Sequence, residues 1–245
     1  RIVASEGRTI LLITCSLHAT EIGASQMSME LAWRLATGKT PFPVEKVLDR
    51  VILLLVPTIN PDGVQMVVDW YDKYRGTRYE GGRMPMLYHP YAGHDNNRDW
   101  FMGNLPETQA LMQVLYHDWI PQIHIDEHQM GSTGARLFIP PFKDPPTGPV
   151  HPLVWRGVAL CGSHMAYRLQ EENRAGVVHG RSFTGWWIGA CDDTSWLHNA
   201  VGILSEMASV KIATPVYIEP GEIGENYTSK SMQFPHPWKG GWWRL

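Results

Sequence analysis

Cysteine is scarce in this sequence: three in 245 residues, Cys15, Cys161 and Cys191. They are too scattered for a disulfide framework or a C-x-x-C zinc knot, and they do not decide the redox compartment. Charge is also low, with 18% Asp, Glu, Lys and Arg and a net charge of −3. Nothing in that balance points to nucleic acid or an anionic membrane surface as a partner. No run reaches the ~18 apolar residues that a membrane span needs. No G-x-S-x-G elbow is present, which argues against a serine hydrolase. Internal repeats and low-complexity tracts are missing too. The chain opens at Arg1 without a Met and runs almost at once into a strand, so we expect a segment of a longer protein, and a missing targeting signal carries little weight.

What is abundant is tryptophan, at eleven, and proline, at eighteen, which suits a loop-rich surface with aromatic-lined hollows. Hydrophobic residues make up 44%. The length fits one large α/β domain with a sizeable core, here taken as residues 1–245. Thr9 to Leu17 is short, apolar and rich in β-branched residues and Leu, and predicts a buried strand. Glu21 to Leu35 predicts a helix, with Ile22, Met29, Ala32 and Trp33 near one face. Between them lies His18-Ala19-Thr20-Glu21. A His and a Glu three residues apart at the mouth of a helix can point to the same side. An imidazole and a carboxylate are two of the three protein ligands of a catalytic zinc. Alone the pair is weak, because a surface His and a Glu favoured by the helix dipole would look the same.

Further along, Val51 to Val56 predicts a second buried strand. Asn60-Pro61-Asp62-Gly63 reads as a turn. Asp69 to Arg83 is polar, aromatic and broken by glycines, and reads as a loop whose Arg75, Arg78 and Arg83 could simply be a solvated face. Gly93 to Trp100 packs polar groups between aromatics, as a pocket wall would. Pro106 to Trp119 predicts a helix. In Gln122 to His128, Ile123 and Ile125 alternate with His124, Asp126 and His128, the period of a strand that ends at His128. Strand ends are where open α/β sheets carry their chemistry. Leu137 to Pro149 reads as a proline-rich connection and Leu153 to Glu172 as a helix. Gly176 to Thr194 reads as a loop over a cleft, and Ser195 to Ala200 as helical. Val201 to Met207 is an apolar strand carrying one carboxylate, Glu206. A charge there is costly unless paired or used, so Glu206 is a functional candidate, with an edge glutamate reaching water as the plain alternative. From Val210 onward no chemistry is assigned.

Taken together and in order, His18-x-x-Glu21, Asn97-Arg98, His128 and Glu206 resemble the zinc carboxypeptidases of the carboxypeptidase A-like family. Asn60-Pro61-Asp62-Gly63 is similar to that family's turn after a strand, Tyr74-Arg75-Gly76-Thr77-Arg78 to its W-R-x-T-R, and Asp95-x-Asn97-Arg98 to its D-x-N-R. The resemblance covers most of the chain, with the earliest part of the family's domain missing. It implies a three-layer α/β sandwich with a central mixed, mostly parallel twisted sheet and helices on both faces. It implies one Zn2+ held by His18, Glu21 and His128, with Asp95 turning an imidazole and Asp126 a second candidate for that task. Glu206 would be the general base, Arg78 would face the developing oxyanion, Asn97 and Arg98 would bind a terminal carboxylate, and Arg75 would assist on the substrate's path. The expected substrate is a peptide with a free C-terminal carboxylate, and family analogy favours a secreted or periplasmic protein. Two features depart from the pattern. Phe183 to Trp187 stands where the family has a mobile tyrosine, and Gln129-Met130-Gly131 follows His128, as in divergent, mostly bacterial members. An Asp among Cys191, Asp192 and Asp193 facing the specificity pocket would favour basic C-terminal residues. Other readings are a zinc amidohydrolase acting on peptidoglycan stem peptides or N-acyl amino acids, or a non-catalytic binding module on the same scaffold.

Overall fold

The structure is a computed structural model that describes residues 7–187 and 189–245. The apolar runs form strands of one sheet, but Val51 to Val56, expected to be buried, is only partly buried and ends the sheet on one side among the described strands. β1 (Thr9–Cys15) pairs in parallel with β2 (Val51–Val56) on one side and with β3 (Ile123–Met130) on the other. β3 pairs in parallel with β6 (Val201–Ala208). β4 (Leu137–Phe138) runs antiparallel to β6 and parallel to β5 (Val177–Val178), giving the order β2-β1-β3-β6-β4-β5. The sheet is mixed and mostly parallel, as expected. A separate antiparallel pair joins β7 (Val216–Ile218) to β8 (Gly241–Trp243).

Alternation along β1 divides the core between the two faces of the sheet. Ile13 and Cys15 pack with Ala24 of helix α1 (Ile22–Thr37). Leu12 packs on the other face, with Leu111 of α4 (Pro106–Gln113) and Cys191 of α6 (Cys191–Leu197). The long α5 (Pro152–Glu171) lays Val154 and Val158 against Trp196 and Val201. Truncating a fully buried Leu12 to Ala would cost about 2–5 kcal/mol. Two further helices, α2 (Val44–Leu48) and α3 (Pro61–Tyr74), complete the set that the site depends on.

Several expectations change. The apolar stripe predicted for α1 is not its buried face: Met29 and Trp33 are exposed, and Gly23, Ala24 and Ser28 lie against the sheet. Small side chains let the helix axis come close, and close approach outweighs hydrophobicity here. Asn60-Pro61-Asp62-Gly63 is the start of α3 rather than a bare turn, with the Asn60 side chain accepting from the Gly63 N–H at 2.9 Å and Pro61 in the first turn. The helix runs on to Tyr74, so the loop predicted from Asp69 begins only at Arg75. Gly63 is demanded by proximity: a Cβ there would come within 1.9 Å of the Tyr88 carbonyl and 2.8 Å of the Ala19 side chain. The helix predicted for Pro106 to Trp119 is α-helical only to Gln113, and a wider π turn continues it to Asp118. The proline-rich connection contains β4, and the loop predicted over Gly176 to Thr194 contains β5 and the start of α6, which begins at Cys191 rather than Ser195. Ile188 of that stretch lies outside the described residues.

Candidate metal centre

β1 ends at Cys15, and Ser16 then adopts a positive φ of 46°. That is an uncommon conformation for serine, and its hydroxyl secures it by donating to the Glu21 carbonyl at 2.8 Å. The turn places His18 and Glu21 together, with His18 Nδ1 2.9 Å from Glu21 Oε1. His128, near the end of β3, completes the group. Its Nδ1 is 3.0 Å from Glu21 Oε2 and 3.2 Å from His18 Nδ1. The Gln129 N–H donates to Glu21 Oε2 at 2.9 Å and fixes the carboxylate.

Each imidazole hands its other nitrogen to a carboxylate. His18 Nε2 is 2.9 Å from Asp95 Oδ1, and His128 Nε2 is 2.8 Å from Asp126 Oδ2. Thr14 donates in turn to Asp126 Oδ1 at 2.6 Å. This is the carboxylate–histidine arrangement that orients metal-ligating rings. Two nitrogens and a carboxylate oxygen converge, with all candidate ligand atoms within 4.8 Å of one another. Ligand atoms around one tetrahedral ion at about 2.1 Å lie roughly 3.4 Å apart. The donor set and its spacing therefore fit a zinc ion of the His₂Glu type.

The electrostatics point the same way. Burial opposes charge on His18, but the Asp95 and Glu21 carboxylates outweigh it and raise the imidazole to about 9. Burial also opposes charge on His128, yet Asp126 and Glu21 hold it well above its ordinary value. For Glu21 the two imidazoles overcome a burial penalty and bring the carboxyl down to about 2. Glu206 behaves differently. It stands in register with His128 on the neighbouring strand, and burial raises it to about 7 while the His128 charge pulls it down.

The substrate-side candidates divide. Asn97 is buried, with Oδ1 accepting from the Cys191 N–H at 2.9 Å and Nδ2 3.4 Å from His128 Nε2. Arg98 reaches outward, with its guanidinium 4.8 Å from the centre of the Trp187 ring and 4.0 Å from Asp95. Trp187 thus occupies ground beside Arg98 in the stretch where the family's tyrosine was missed. Among the described residues, neither Arg75 nor Arg78 bonds to the cluster. Arg75 is exposed beside Asp72 at 3.5 Å, and Arg78 bonds to the Tyr79 hydroxyl and lies over its ring. Asp192 and Asp193 are buried at the start of α6 and are both pushed up, chiefly by burial and by neighbouring carboxylates.

Sequence reasoning passed over several groups or, for Arg83, read a solvated face. Thr14 sits fully buried in its strand, and a hydroxyl at such a position was a usable signal. Tyr88 packs against the His18 ring at 5.7 Å between centroids. Arg83 and Lys211 line a cavity of about 830 Å³ that opens beside Glu21 and Tyr88. No local pattern marks these last three.

Residues 3–133 match the family model described as zinc carboxypeptidase, more than half of the chain. No curated protein sequence matches it. Among solved structures, a metallo-carboxypeptidase from Burkholderia cenocepacia is similar at 17% identity and a TM-score of 0.55, covering 82% of this chain and 48% of that one. A carboxypeptidase A from Helicoverpa armigera is similar at 18% identity and a TM-score of 0.58, covering 83% of this chain and 52% of that one. Thrombin activatable fibrinolysis inhibitor is similar at 16% identity and a TM-score of 0.58, covering 81% of this chain and 54% of that one. At such identities the likeness is one of fold, and the chain spans about half the length of these structures.

Proposed function

This chain belongs to the zinc carboxypeptidase family, and from that premise we propose that it is a zinc-dependent hydrolase that removes C-terminal residues from peptides. The observation that carries the reading is the meeting of His18 Nδ1, His128 Nδ1 and the Glu21 carboxylate, with both outer ring nitrogens held by Asp95 and Asp126. Zinc held there would polarise a water and the scissile carbonyl.

The chain's own residues do the rest. Glu206, with a pKa lifted to about 7 by burial, is suited to take a proton from the attacking water near neutral pH and return it to the leaving nitrogen. Among the described residues no donor bonds to its carboxylate, so it is free for that proton. Asn97 and Arg98 would take the substrate's terminal carboxylate. Arg suits this because its planar fork meets a carboxylate with two bonds. The Trp187 ring against Arg98 holds the guanidinium where a flexible side chain would otherwise wander. Arg75 and Arg78 receive no role in this arrangement, because their contacts lie with Asp72 and Tyr79.

The test pairs metal analysis of the purified protein with assays on dipeptides whose C-terminus is free or blocked. The expected result is one zinc per chain and cleavage of the free peptide only. Absence of zinc binding would sink the reading, and equal cleavage of both peptides would leave a zinc amidohydrolase in place of a carboxypeptidase.

A further inference from the structure

The cavity of about 830 Å³ touches the cluster through Glu21, and neither Asn97 nor Arg98 lines it. If those two take the terminal carboxylate, the acyl side of the scissile amide runs the other way, into this cavity. Its size falls within the range of ligand sites and exceeds what one small side chain would fill. Among the described residues lining it, the charged groups are Glu21, Arg83 and Lys211. The remaining wall is largely apolar, with Met84, Leu87, Val210 and Ile212 contributing.

The two cations come from loops far apart in sequence, and the fold ties those loops together. Glu80 accepts from the Thr214 hydroxyl at 2.7 Å, from the Tyr71 hydroxyl at 3.1 Å and from the Gly76 N–H at 2.7 Å. Gly81, at a φ of +68°, lies so close to Lys211 that a Cβ would come within 2.6 Å of its carbonyl oxygen. The Trp70 indole N–H donates to the Gly82 carbonyl at 2.8 Å. Arg83 and Lys211 are therefore presented from a braced rim. Among the described residues neither forms an ion pair, although Glu80 stands nearby and spends its carboxylate on the brace.

Resting on the hydrolase reading above, we propose that Arg83 and Lys211 select substrates with an anionic group on the acyl side of the cleaved bond. The anion is a carboxylate, supplied by an acidic residue preceding the C-terminal one or by a dicarboxylic N-acyl group. The substrate then carries negative charge at both ends of the site. Asn97 and Arg98 meet one end, and the cavity rim meets the other.

The zinc-loaded chain is assayed on peptides that differ only in the residue before the last, Glu, Gln or Lys. A second arm compares N-succinyl with N-acetyl forms of one amino acid. The expected kcat/KM ratio of Glu over Gln is roughly three- to tenfold, the scale of one or two exposed ion pairs, and it shrinks in about 1 M salt. The charge reversal Lys211→Glu, alone and with Arg83→Glu, inverts the preference toward the Lys peptide. A preference confined to the succinyl pair assigns the anion to a dicarboxylic acyl group, and one confined to peptides assigns it to an acidic residue. The same ligands are titrated against zinc-loaded Glu206→Gln for Kd. Binding preference that follows Arg83 and Lys211 without any hydrolysis would overturn the hydrolase reading and keep this one. Hydrolysis or binding with no charge preference, or a preference that survives both reversals, would overturn the proposal.

Discussion

His124 and His128 stand four residues apart on the same face of β3, and each sits in a group that could hold a metal: His18, Glu21 and His128 in one, His124, Asp126 and Cys191 in the other. Composition does not separate them. Their hydrogen bonds do. His124 has Thr14 Oγ1 at 2.9 Å on one nitrogen and Ser195 Oγ at 2.9 Å on the other, so both of its polar atoms are satisfied by neutral hydroxyls. Burial lowers it to about 4 and keeps it neutral, and burial holds the Cys191 thiol well above its ordinary value. That group is a closed polar core. In the other, two ring nitrogens face each other across a carboxylate, and paired acids hold protons on them that a metal would displace. The metal-ready cluster is thus marked by inward nitrogens with outer carboxylates, and the structural one by a histidine whose two nitrogens both meet hydroxyls.

The strongest way to break this contrast is Glu21→Ala. We expect zinc content to fall from one per chain to near zero by metal analysis, since two imidazoles alone leave the site short of its third ligand. Zinc retained at full occupancy in that variant would move the centre to the second group. Next, Glu206→Gln should lower kcat by about 10²–10⁴ with zinc content unchanged. A variant of near-normal rate would place the general base elsewhere.

Asp126 is a member of the second group and also holds the His128 ring of the first, so it sharpens the comparison. Asp126→Asn should weaken zinc binding by about 10–100-fold in competition with a chelator, through loss of the charge that orients His128. The pH dependence probes the same rings. The raised pKa of His18, from 6.5 to about 9, means the metal-free fold binds that proton more tightly than the unfolded chain does. Between those values the proton's contribution to the metal-free fold is lost as pH rises, while zinc needs the bare nitrogen and gains. The His18 proton alone should therefore make apparent zinc affinity climb about tenfold per pH unit toward pH 9, with the His128 proton adding to the slope, and a flat profile over that range would contradict a protonated His18. Least for the metal, His124→Ala should leave zinc stoichiometry unchanged. It should cost about 1–3 kcal/mol in urea unfolding, because the Thr14 and Ser195 hydroxyls lose their shared partner.

Much of the centre was legible in the chain. His18-x-x-Glu21 spans one turn between a strand and a helix, so local geometry already places both groups together. The alternation through His124, Asp126 and His128 put three polar side chains on one face of β3, and that face is the buried one. Asp95-x-Asn97-Arg98 could be read for the same reason, since Asp95 caps its own turn by accepting from the Asn97 N–H at 2.8 Å. The misreadings share a different cause. α1 turned its small residues to the sheet, because how near a helix approaches depends on what it meets. α3 continued past Asp69 because Trp70 packs against the cluster of Val67, Ala19 and Met84. Arg75 and Arg78 matched a motif, and the contacts described for them are with Asp72 and Tyr79.

The sequence by itself determined the sheet's central strands, the pairing of His18 with Glu21, and the presence of a carboxylate, Glu206, in a strand where a charge is costly unless paired or used. These depend on residues within a few positions of one another, where periodicity and turn chemistry decide the outcome. Only the tertiary structure decided which histidine of β3 faces Glu21, and that Asp126 serves it. It also decided that Arg83 and Lys211, 128 positions apart in the numbering, share one rim beside the site. Those facts depend on the order β2-β1-β3-β6 and on the brace from Glu80 to Thr214, contacts between distant segments that no local pattern records.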